Sequence, residues 1–308
     1  TFHNGDQVVF YTRAQILYYN LDSTDLGNRM QVWLSRSGNS DDVGLGTSTG
    51  QFTTLLLDIG NTHTHVGLAD GRRVVRHRDL ATAEWLSGSA YRALRSFVGR
   101  GVNLSAAALC SVVPAATPLV TAALGRAWGI TPVVLGPETI AGVGIDYPKP
   151  ASIGPDRLAN AIALRHLFGA PGLVVDFGTA VTFDIVDRRG CYVGGVIAPG
   201  LAAMTDYLHE KTALLPRIQI RDPRSVIGRS TEEAMLIGAV HGYRGLVREL
   251  IGRIRSQLRA RQLPVVATGG YARLIAKGLP EITAVEPLLT LEGLRLLSRH
   301  HVAEEVHS

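Results

Sequence analysis

The chain has 308 residues, of which 46% are hydrophobic and 19% charged, and its formal net charge at pH 7 is +5. This composition is typical of a globular protein with a substantial core, and the length allows two domains of ordinary size. The only two cysteines, Cys110 and Cys191, exclude a disulfide framework and a cysteine-based zinc site. Because no apolar run approaches the ~20 residues of a membrane span and the N-terminus lacks the pattern of a secretory signal, we expect a cytoplasmic protein with no membrane association.

The excess of basic residues does not predict nucleic-acid binding. The arginines are scattered along predicted helices, and the aromatic residues, 6% of the chain, do not alternate with them as a stacking surface requires. We interpret the basic residues as solvated helix faces, which are also compatible with attraction for ATP or an acidic metabolite. No nucleic-acid partner is therefore expected.

Residues 1–52 differ from the rest of the chain. A mixed apolar stretch at 8–21 is followed at 35–50 by the tract SRSGNSDDVGLGTSTG, whose glycines and serines predict a flexible linker. We predict an N-terminal extension over 1–52, and an appended strand element within it remains open. The sequence assigns no chemistry to this extension.

From Thr53 onward the pattern predicts an α/β protein. Three strands (LLLDIG, HVGLAD, VVRHRDL) precede a helix over AEWLSGSAYRALRSFVGRG, the strand AAALCSVV, the helix ATPLVTAALGRAWG, the strand PVVLG and the helix DRLANAIALRHLFG. The second half begins again with LVVDFG, FDIVDRRG and YVGGVIAPG, followed by helices at about 200–211 and 231–259, the strand VVATGG and a helix at 291–300. This repetition predicts two lobes with a cleft between them, an N-terminal lobe at 53–170 and a C-terminal lobe at 171–308.

One short pattern occurs in both halves. Residues 55–68 read LLLDIGNTHTHVGL and residues 173–186 read LVVDFGTAVTFDIV, so that Asp58, Gly60 and Thr64 match Asp176, Gly178 and Thr182. A carboxylate, free backbone N–H groups and hydroxyls in such a turn can hold phosphate and its cations. A lone D-x-G-x-T is common, and the repeat could record only a duplicated structural unit. A third glycine turn, VVATGGYARL at 265–274, favours nucleotide binding, since strand, glycine turn and helix start direct N–H groups at an anion.

Further motifs narrow the interpretation. They are DIGNTHTHVGL at 58–68, SVVP at 111–114, GPDR at 154–157, DFGTAVTFD at 176–184, GGVIAPG at 194–200, TALLP at 212–216 and TEEAMLIG at 231–238. The two-lobed pattern resembles the actin, Hsp70 and sugar-kinase superfamily, and these motifs, in this order, resemble type III pantothenate kinase from about Leu55 to Leu297. The resemblance implies two ribonuclease-H-like lobes around a nucleotide cleft, and ATP-dependent phosphorylation of pantothenate to 4′-phosphopantothenate, the first step of coenzyme A synthesis.

The resemblance also implies an ATP site, formed by the run Asp58, Ile59, Gly60, Asn61, Thr62, His63, Thr64, His65 and by Thr179. From the residues themselves, the glycine permits close approach of a phosphate, and the asparagine and threonines donate hydrogen bonds. Asp58 cannot usefully face a phosphate, so we expect it to bind Mg²⁺ through water. His63 and His65 alternate with threonines on a strand, a pattern that is usually structural, and we do not interpret them as a metal pair.

Asp156 in GPDR is the candidate catalytic base. Taken alone, its position favours a structural role, because aspartate is common at helix N-termini. The resemblance favours the catalytic role instead, since the matching aspartate of the family is the proton acceptor. Arg157 suits a substrate carboxylate, since guanidinium groups pair bidentately with carboxylates. The resemblance places Tyr147, Gly154, Pro155, Asp156, Arg157 and Thr231 in the pantothenate site. Either Ser230 or Thr231 could instead cap the following helix.

Asp176 matches the residue that in this family helps to bind a monovalent cation, K⁺ or NH₄⁺. The Walker signature is absent, and no lysine lies beside either Asp-x-Gly turn, so charge neutralisation would depend on Mg²⁺ and the monovalent ion, which argues against a P-loop kinase. The resemblance further implies a homodimer with a shared substrate pocket. Two alternatives stay open: another kinase of the same fold, and a non-catalytic nucleotide-binding regulator, because some family members are described as accessory factors.

Overall fold

A computed structural model describes residues 53–307, with side chains for 53–302, and four short strands before them. These strands, β1 (His3–Asn4), β2 (Gln7–Tyr11), β3 (Ile16–Asn20) and β4 (Trp33–Leu34), form an antiparallel sheet of their own. β2 and β3 agree with the strand alternative for the N-terminal extension. The predicted linker at 35–50 lies outside the described residues.

The first large sheet contains β5 (Thr54–Ile59), β6 (His63–Ala69), β7 (Val74–Ala81), β8 (Ala106–Ser111) and β9 (Val133–Val134), in the order β7-β6-β5-β8-β9. Strand β6 is antiparallel to both β5 and β7, and β8 and β9 are added in parallel. Alternating residues of β5 face opposite sides, and Leu55 and Leu57 pack under the helices α1 (Ala83–Ser87), α2 (Ala90–Val98) and α3 (Thr117–Trp128). One helix was predicted over 83–101; the left-handed conformation of Gly88 (φ 80°) divides it in two.

The second large sheet repeats this arrangement. Its strands are β10 (Gly144–Ile145), β11 (Gly172–Phe177), β12 (Ala180–Val186), β13 (Cys191–Pro199), β14 (Val265–Thr268) and β15 (Ala284–Val285), in the order β10-β13-β12-β11-β14-β15. Apart from β10 at one edge, the order is that of the first sheet. The two-residue strands β10 and β15 escaped prediction because they are too short for an alternating pattern. The helices α5 (Leu201–Lys211), α6 (Thr231–Gln257) and α7 (Ala272–Ala276) accompany this sheet.

Two helices, α4 (Pro155–Phe168) and α8 (Leu289–His307), lie between the sheets. Every residue from 158 to 164 is buried, as expected of a helix that packs on all sides. The core around α4 and α8 includes Leu56 of the first sheet and Val174 of the second. These two helices therefore join the lobes, because both sheets pack against them.

The fold prediction is confirmed, since two sheets of the same strand order each carry their own helices. The division at 170/171 stays a prediction: β10 precedes it yet pairs in the second sheet, and α8 follows it yet packs against the first. No helix in the part of the chain that the structure describes has the length and apolar character of a membrane span.

Candidate active site between the two sheets

The first candidate phosphate turn joins β5 to β6. The backbone N–H of Gly60 donates to the carbonyl of His63 (3.0 Å), which closes the turn. Asn61, Thr62 and His63 are exposed at its tip, whereas Ile59 is buried. Exposed backbone and side-chain donors at the end of a hairpin suit the phosphate contacts predicted for this segment.

Thr64 supports this turn from within the lobe. It is fully buried, and its hydroxyl accepts from Trp85 Nε1 (3.1 Å) and lies 3.1 Å from the hydroxyl of Thr82. Thr82 in turn donates to the carbonyl of Gly60 (2.6 Å). The Thr64 side chain is thus engaged with protein partners, and its direct contact with ATP stays a prediction.

The second and third turns meet at Asp176. Gly178 and Thr179 are exposed between β11 and β12. Gly269, directly after β14, has a φ of 86°, and a Cβ there would lie 2.5 Å from Asp176 Oδ1. Only glycine permits this conformation and this close approach, which brings the third glycine turn against the carboxylate of the second.

Residues from both sheets and from the start of α8 line a cavity at this point. Its volume of about 80 Å³ is below the ~300–1,000 Å³ of pockets that enclose whole cofactors, so it matches ions or phosphate groups and not a nucleoside. The lining residues are Asp58, His65, His77, Asp79, Asp176, Thr268, Gly269, Pro287, Leu288, Thr290 and Leu291. The Asp-x-Gly carboxylates of both halves therefore face one space, as the sequence predicted.

Burial raises the pKa values of three carboxyl groups near this space, and neighbouring carboxylates add to the rise. Burial raises the pKa of Asp58 to about 6, a rise that His65 opposes and Asp156 increases. Burial raises the pKa of Asp176 to about 7, opposed by Asn160 and increased by Asp58. Burial likewise raises the pKa of Asp184 to about 6, opposed by Arg157. A bound cation would stabilise the ionised forms of these carboxylates, because its charge offsets both the cost of their burial and the repulsion between them.

A chain of hydrogen bonds fixes Asp176. Asn160 of α4 donates to Asp176 Oδ2 (3.2 Å), and Thr290 of α8 donates to the carbonyl oxygen of the Asn160 side chain (2.9 Å). Asn160 is 1% exposed. Asn160 was not predicted from the sequence. Its position as the lone amide in the apolar run 158–164 could have indicated a functional contact, since a buried amide requires hydrogen-bond partners.

Asp156 lies in the first turn of α4. The N-cap position is Gly154, which makes no side-chain cap, and Asp156 Oδ1 accepts from the backbone N–H of Arg157 (2.9 Å). Burial raises the pKa of Asp156, against the hydrogen bond and the charge of Arg157. A carboxylate with a raised pKa accepts a proton more readily than an ordinary one, so its surroundings suit a base.

Arg157 is held by a buried partner. Its Nε donates to Asp184 Oδ1 (2.6 Å), and Thr182 donates to Asp184 Oδ2 (3.2 Å). Asp184 is fully buried, and the Arg157 guanidinium lies 5.7 Å from the centre of the Tyr192 ring. The guanidinium predicted to bind the substrate carboxylate is therefore held by the Asp184 carboxylate, and its Nη2 also donates to the carbonyl of Phe183 (3.4 Å). The sequence analysis missed both Asp184 and Tyr192.

Tyr147 packs on the same tyrosine, Tyr192, that the Arg157 guanidinium approaches. Its ring packs edge-on against Tyr192 at a centroid distance of 6.2 Å, and the Tyr192 hydroxyl is buried without a hydrogen-bond partner. At Gly194 (φ 115°) a Cβ would lie 3.2 Å from the Tyr147 ring, so this strand makes room for the ring. Tyr147 and Arg157, both placed in the substrate site by the resemblance, thus share Tyr192 as a neighbour.

Thr231 is separate from this group. It is the exposed first residue of α6, and the cap there is made by Ser230, whose hydroxyl accepts from the N–H of Glu233 (3.2 Å), while Glu233 accepts from the N–H of Arg229 (2.7 Å). Of the two capping alternatives, the structure selects Ser230. Thr231 takes no part in the cap, and its contact with substrate stays a prediction.

Known proteins of one family are similar to this chain. A model of the type III pantothenate kinase family matches residues 54–253. A type III pantothenate kinase from Akkermansia muciniphila is 46% identical over 245 residues, which cover 79% of this chain and 97% of that protein. A type III pantothenate kinase from Methylacidiphilum infernorum is 45% identical over 245 residues, which cover 79% of this chain and 87% of that protein.

Among solved structures, a Campylobacter jejuni protein described as a Baf family transcriptional activator has a TM-score of 0.54 at 18% identity, covering 81% of this chain and 99% of that one. This likeness concerns the fold alone. The family model extends over both Asp-x-Gly turns, and each of the two relatives covers 79% of this chain. The chain therefore belongs to the type III pantothenate kinase family.

Proposed function

We propose that this protein transfers the γ-phosphoryl group of ATP to the hydroxyl of pantothenate, giving ADP and 4′-phosphopantothenate. The observation that carries the proposal is the position of Asp156. It lies on α4 one turn before Asn160, which donates to Asp176 (3.2 Å), and its charge raises the pKa values of Asp58 and Asp176. A base for the acceptor hydroxyl thus stands beside the predicted phosphate site.

In the proposed reaction, Asp156 accepts the proton of the pantothenate hydroxyl as its oxygen attacks the γ-phosphorus and ADP leaves. The turn after β5, from Gly60 to His63, holds phosphate oxygens through backbone N–H groups and the Asn61 and Thr62 side chains. Thr179 contacts the nucleotide from the opposite lobe. The protein's contribution is mainly orientation and charge compensation, as in other phosphoryl transfers.

The cations are assigned to the two Asp-x-Gly carboxylates. Mg²⁺ in kinase sites is held by one or two carboxylates together with phosphate and water, and Asp58 supplies such a carboxylate. Asp176, with Asn160 beside it, would hold K⁺ or NH₄⁺. When bound, these cations neutralise phosphate charge. The fit is supported by the burial of both carboxylates, which raises their pKa values and is relieved by a bound positive charge.

The pantothenate carboxylate is assigned to the Arg157 guanidinium, with Tyr147 packing on the apolar part of the substrate. Gly154 and Pro155 start α4 and so place both Asp156 and Arg157. The family's shared pocket would add Thr231. A homodimer is supported by the apolar side chains exposed around α5, where Tyr207 is 60% and Leu214 is 90% exposed, since contiguous apolar surface often marks an interface.

The surface of helix α6 also supports a homodimer. Its apolar residues lie on more than one face: Ala239 and Val240 are buried, Met235 and Ile237 are half-buried, and Ala234 is exposed. The exposed side of this helix, beside α5, is the surface that twofold pairing would cover. Light scattering at assay concentration tests this: an active monomer would refute both the dimer and the shared pocket.

The deciding experiment is ADP release with pantothenate, ATP and Mg²⁺, in K⁺ and in Na⁺. The proposal expects pantothenate-dependent turnover that is faster in K⁺, and a weaker response to K⁺ in Asp176→Ala. Turnover that is equal in both salts would refute the monovalent site. No turnover in either salt would favour a non-catalytic regulator, which the intact Asp156 and Gly60 argue against.

A further inference from the structure

Thr82 contacts the first candidate phosphate turn at two points. It follows β7 and occupies the N-cap position of α1. Its hydroxyl donates to the carbonyl of Gly60 (2.6 Å), and its backbone N–H donates to the carbonyl of Thr62 (3.0 Å). Two carbonyls of the turn are therefore directed at one residue, which is only 2% exposed.

The hydroxyl of Thr82 does not serve its own helix. A threonine at an N-cap position usually accepts a hydrogen bond from a backbone N–H of the first helical turn. The Thr82 side chain makes no such bond with α1, a helix of five residues. It reaches back along the chain to Gly60 instead, which indicates a role in the turn.

A directed chain of hydrogen bonds holds this hydroxyl. A carbonyl can only accept, so the single hydrogen of the Thr82 hydroxyl belongs to the bond with Gly60. In the 3.1 Å contact between Thr82 and Thr64 the donor is then Thr64, which accepts in turn from Trp85 Nε1 (3.1 Å). Because Thr64 and Trp85 are buried, little water competes with these bonds, and the Gly60 carbonyl is held in one orientation.

The fixed carbonyl of Gly60 determines where the next N–H group points. Asp58 pairs with His65 in the strand register, and side chains alternate along a strand, so Thr64 and the hydrogen-bond chain lie on the face opposite to Asp58. In a planar trans peptide the C=O and N–H bonds point in opposite directions. Because the Gly60 carbonyl points to the Thr64 face, the N–H of Asn61 points to the face on which Asp58 lines the cavity.

The carbonyl of Thr62 orients a second N–H group in the same way. It points to the backbone N–H of Thr82, so the N–H of His63 points away from Thr82. Within the described residues, the N–H of Asn61 has no hydrogen-bond partner. Since Asn61 is exposed, this donor is available to a ligand in the cleft.

We propose that Thr82 is a positioning residue that turns the N–H groups of Asn61 and His63 toward a phosphate group of the bound nucleotide. Neighbouring backbone N–H groups directed in this way bind anions without a charged side chain, and the chain has no lysine beside this turn. The inference rests on the proposed nucleotide site, and it adds Thr82, which none of the motifs includes, to that site.

The experiment compares Thr82→Val with Thr82→Ser in the full chain. Valine has nearly the shape of threonine but no hydroxyl, so the Gly60 carbonyl loses its donor, whereas serine keeps the hydroxyl. ADP and adenosine binding are measured by ligand-observed NMR with Mg²⁺ present, because only ADP carries phosphate. We expect Thr82→Val to weaken ADP binding roughly tenfold, the scale of one lost hydrogen bond to a charged group, and to change adenosine affinity less than about twofold. Thr82→Ser should keep ADP affinity within about threefold of the unsubstituted chain.

The backbone amide of Asn61 provides a direct readout. In protein with isotope-labelled asparagine, its NMR signal is identified by its loss in Asn61→Gln. A hydrogen bond to phosphate moves an amide proton signal downfield, so ADP and not adenosine should shift this signal in the unsubstituted chain. In Thr82→Val the ADP-dependent shift should be lost.

The matched control is Thr205→Val. Thr205 is 5% exposed, and its hydroxyl donates to the carbonyl of Ala202 (2.9 Å) within α5, so the same substitution removes a comparable buried bond away from the turn. It should change ADP binding less than about twofold. The melting temperatures of the variants verify that the fold is kept.

Unchanged ADP affinity in Thr82→Val would overturn the positioning role, as would equal losses of ADP and adenosine affinity or an equal loss in Thr205→Val. If Thr82→Val does not fold, the amide readout still decides: an Asn61 signal that ADP leaves unmoved in the unsubstituted chain would overturn the proposal. Pantothenate turnover by the unsubstituted chain is a separate readout. Its failure would refute the proposed function while leaving a Thr82-dependent ADP site intact.

Discussion

Asp58 and Asp176 are the penultimate residues of β5 and β11 and line the same cavity from opposite lobes. Each begins a turn that carries a glycine two residues later. Their facing arrangement follows from the repeated strand order of the two sheets, because equivalent strands in a duplicated fold present equivalent ends to the cleft. Burial raises the pKa values of both carboxyl groups, and the charge of Asp58 adds to the rise at Asp176, so a bound cation would lower the cost of ionising them.

Asp156→Asn should slow phosphoryl transfer by roughly 10²–10⁴-fold, the usual contribution of a positioned base. Asparagine keeps an oxygen that can accept from the Arg157 N–H, so the melting temperature should stay near that of the unsubstituted chain. Steady-state ADP release and thermal unfolding give the two values. Near-normal turnover in the folded variant would remove Asp156 from the catalytic role and leave it a helix-terminus residue.

The stability of the cation-free protein should fall as pH rises from about 4 to 7. The carboxyl groups of Asp58 and Asp176 have folded-state pKa values raised to about 6 and about 7, so in this window the folded chain retains protons that the unfolded chain has released. Their contribution is full below the unfolded pKa and is lost as pH passes the folded pKa.

Urea unfolding at pH 5 and pH 7.5, without Mg²⁺ or K⁺, measures this effect. Asp176→Asn should flatten the dependence by on the order of 2 kcal/mol, given about 1.4 kcal/mol for each unit of pKa. Added K⁺ and Mg²⁺ should restore stability at pH 7.5, where the carboxylates are ionised. If the free energy of unfolding of Asp176→Asn depended on pH as that of the unsubstituted chain does, the raised pKa of Asp176 would be contradicted.

Asp184→Asn should raise the KM for pantothenate more than it lowers kcat. Asp184 holds Arg157 Nε at 2.6 Å, and the loss of its charge loosens the guanidinium assigned to the substrate carboxylate. Because breaking a buried ion pair can cost ~3–5 kcal/mol, the melting temperature must be measured as well. An unchanged KM in a folded Asp184→Asn variant would contradict the assignment of Arg157 to the substrate carboxylate. Lys149→Gln, on the exposed loop after Tyr147, is a comparison variant for loss of a nearby positive charge.

A chain without residues 1–52, which starts at Thr53, should retain kinase activity. The described strands of the N-terminal extension pair only with one another, in a sheet separate from the two large ones, and every motif lies after Leu55. Activity and light scattering on the truncated and full chains provide the check. A folded but inactive truncation would show that the extension completes the site or the oligomer.

The sequence by itself determined the repeated strand–turn–helix pattern and the three glycine turns. It did so because hydrophobic alternation and Asp-x-Gly spacing are local signals. It also identified Asp156 as the helix-start carboxylate and Tyr147 and Arg157 as substrate candidates. It misread the helix over 83–101, where Gly88 interrupts a continuous periodicity, and it left the cap of α6 open between Ser230 and Thr231.

Only the tertiary structure revealed the partners of these residues. Asn160 reaches Asp176 across a helix–strand contact, Asp184 reaches Arg157 from another strand, and Asp79 reaches His65 through the register of two strands. None of these pairs is close in sequence, and a buried or cross-strand partner leaves no local pattern. Spacing along the chain determines which side chains a turn carries. The packing of α4 and α8 between the sheets determines which charged groups lie beside those side chains.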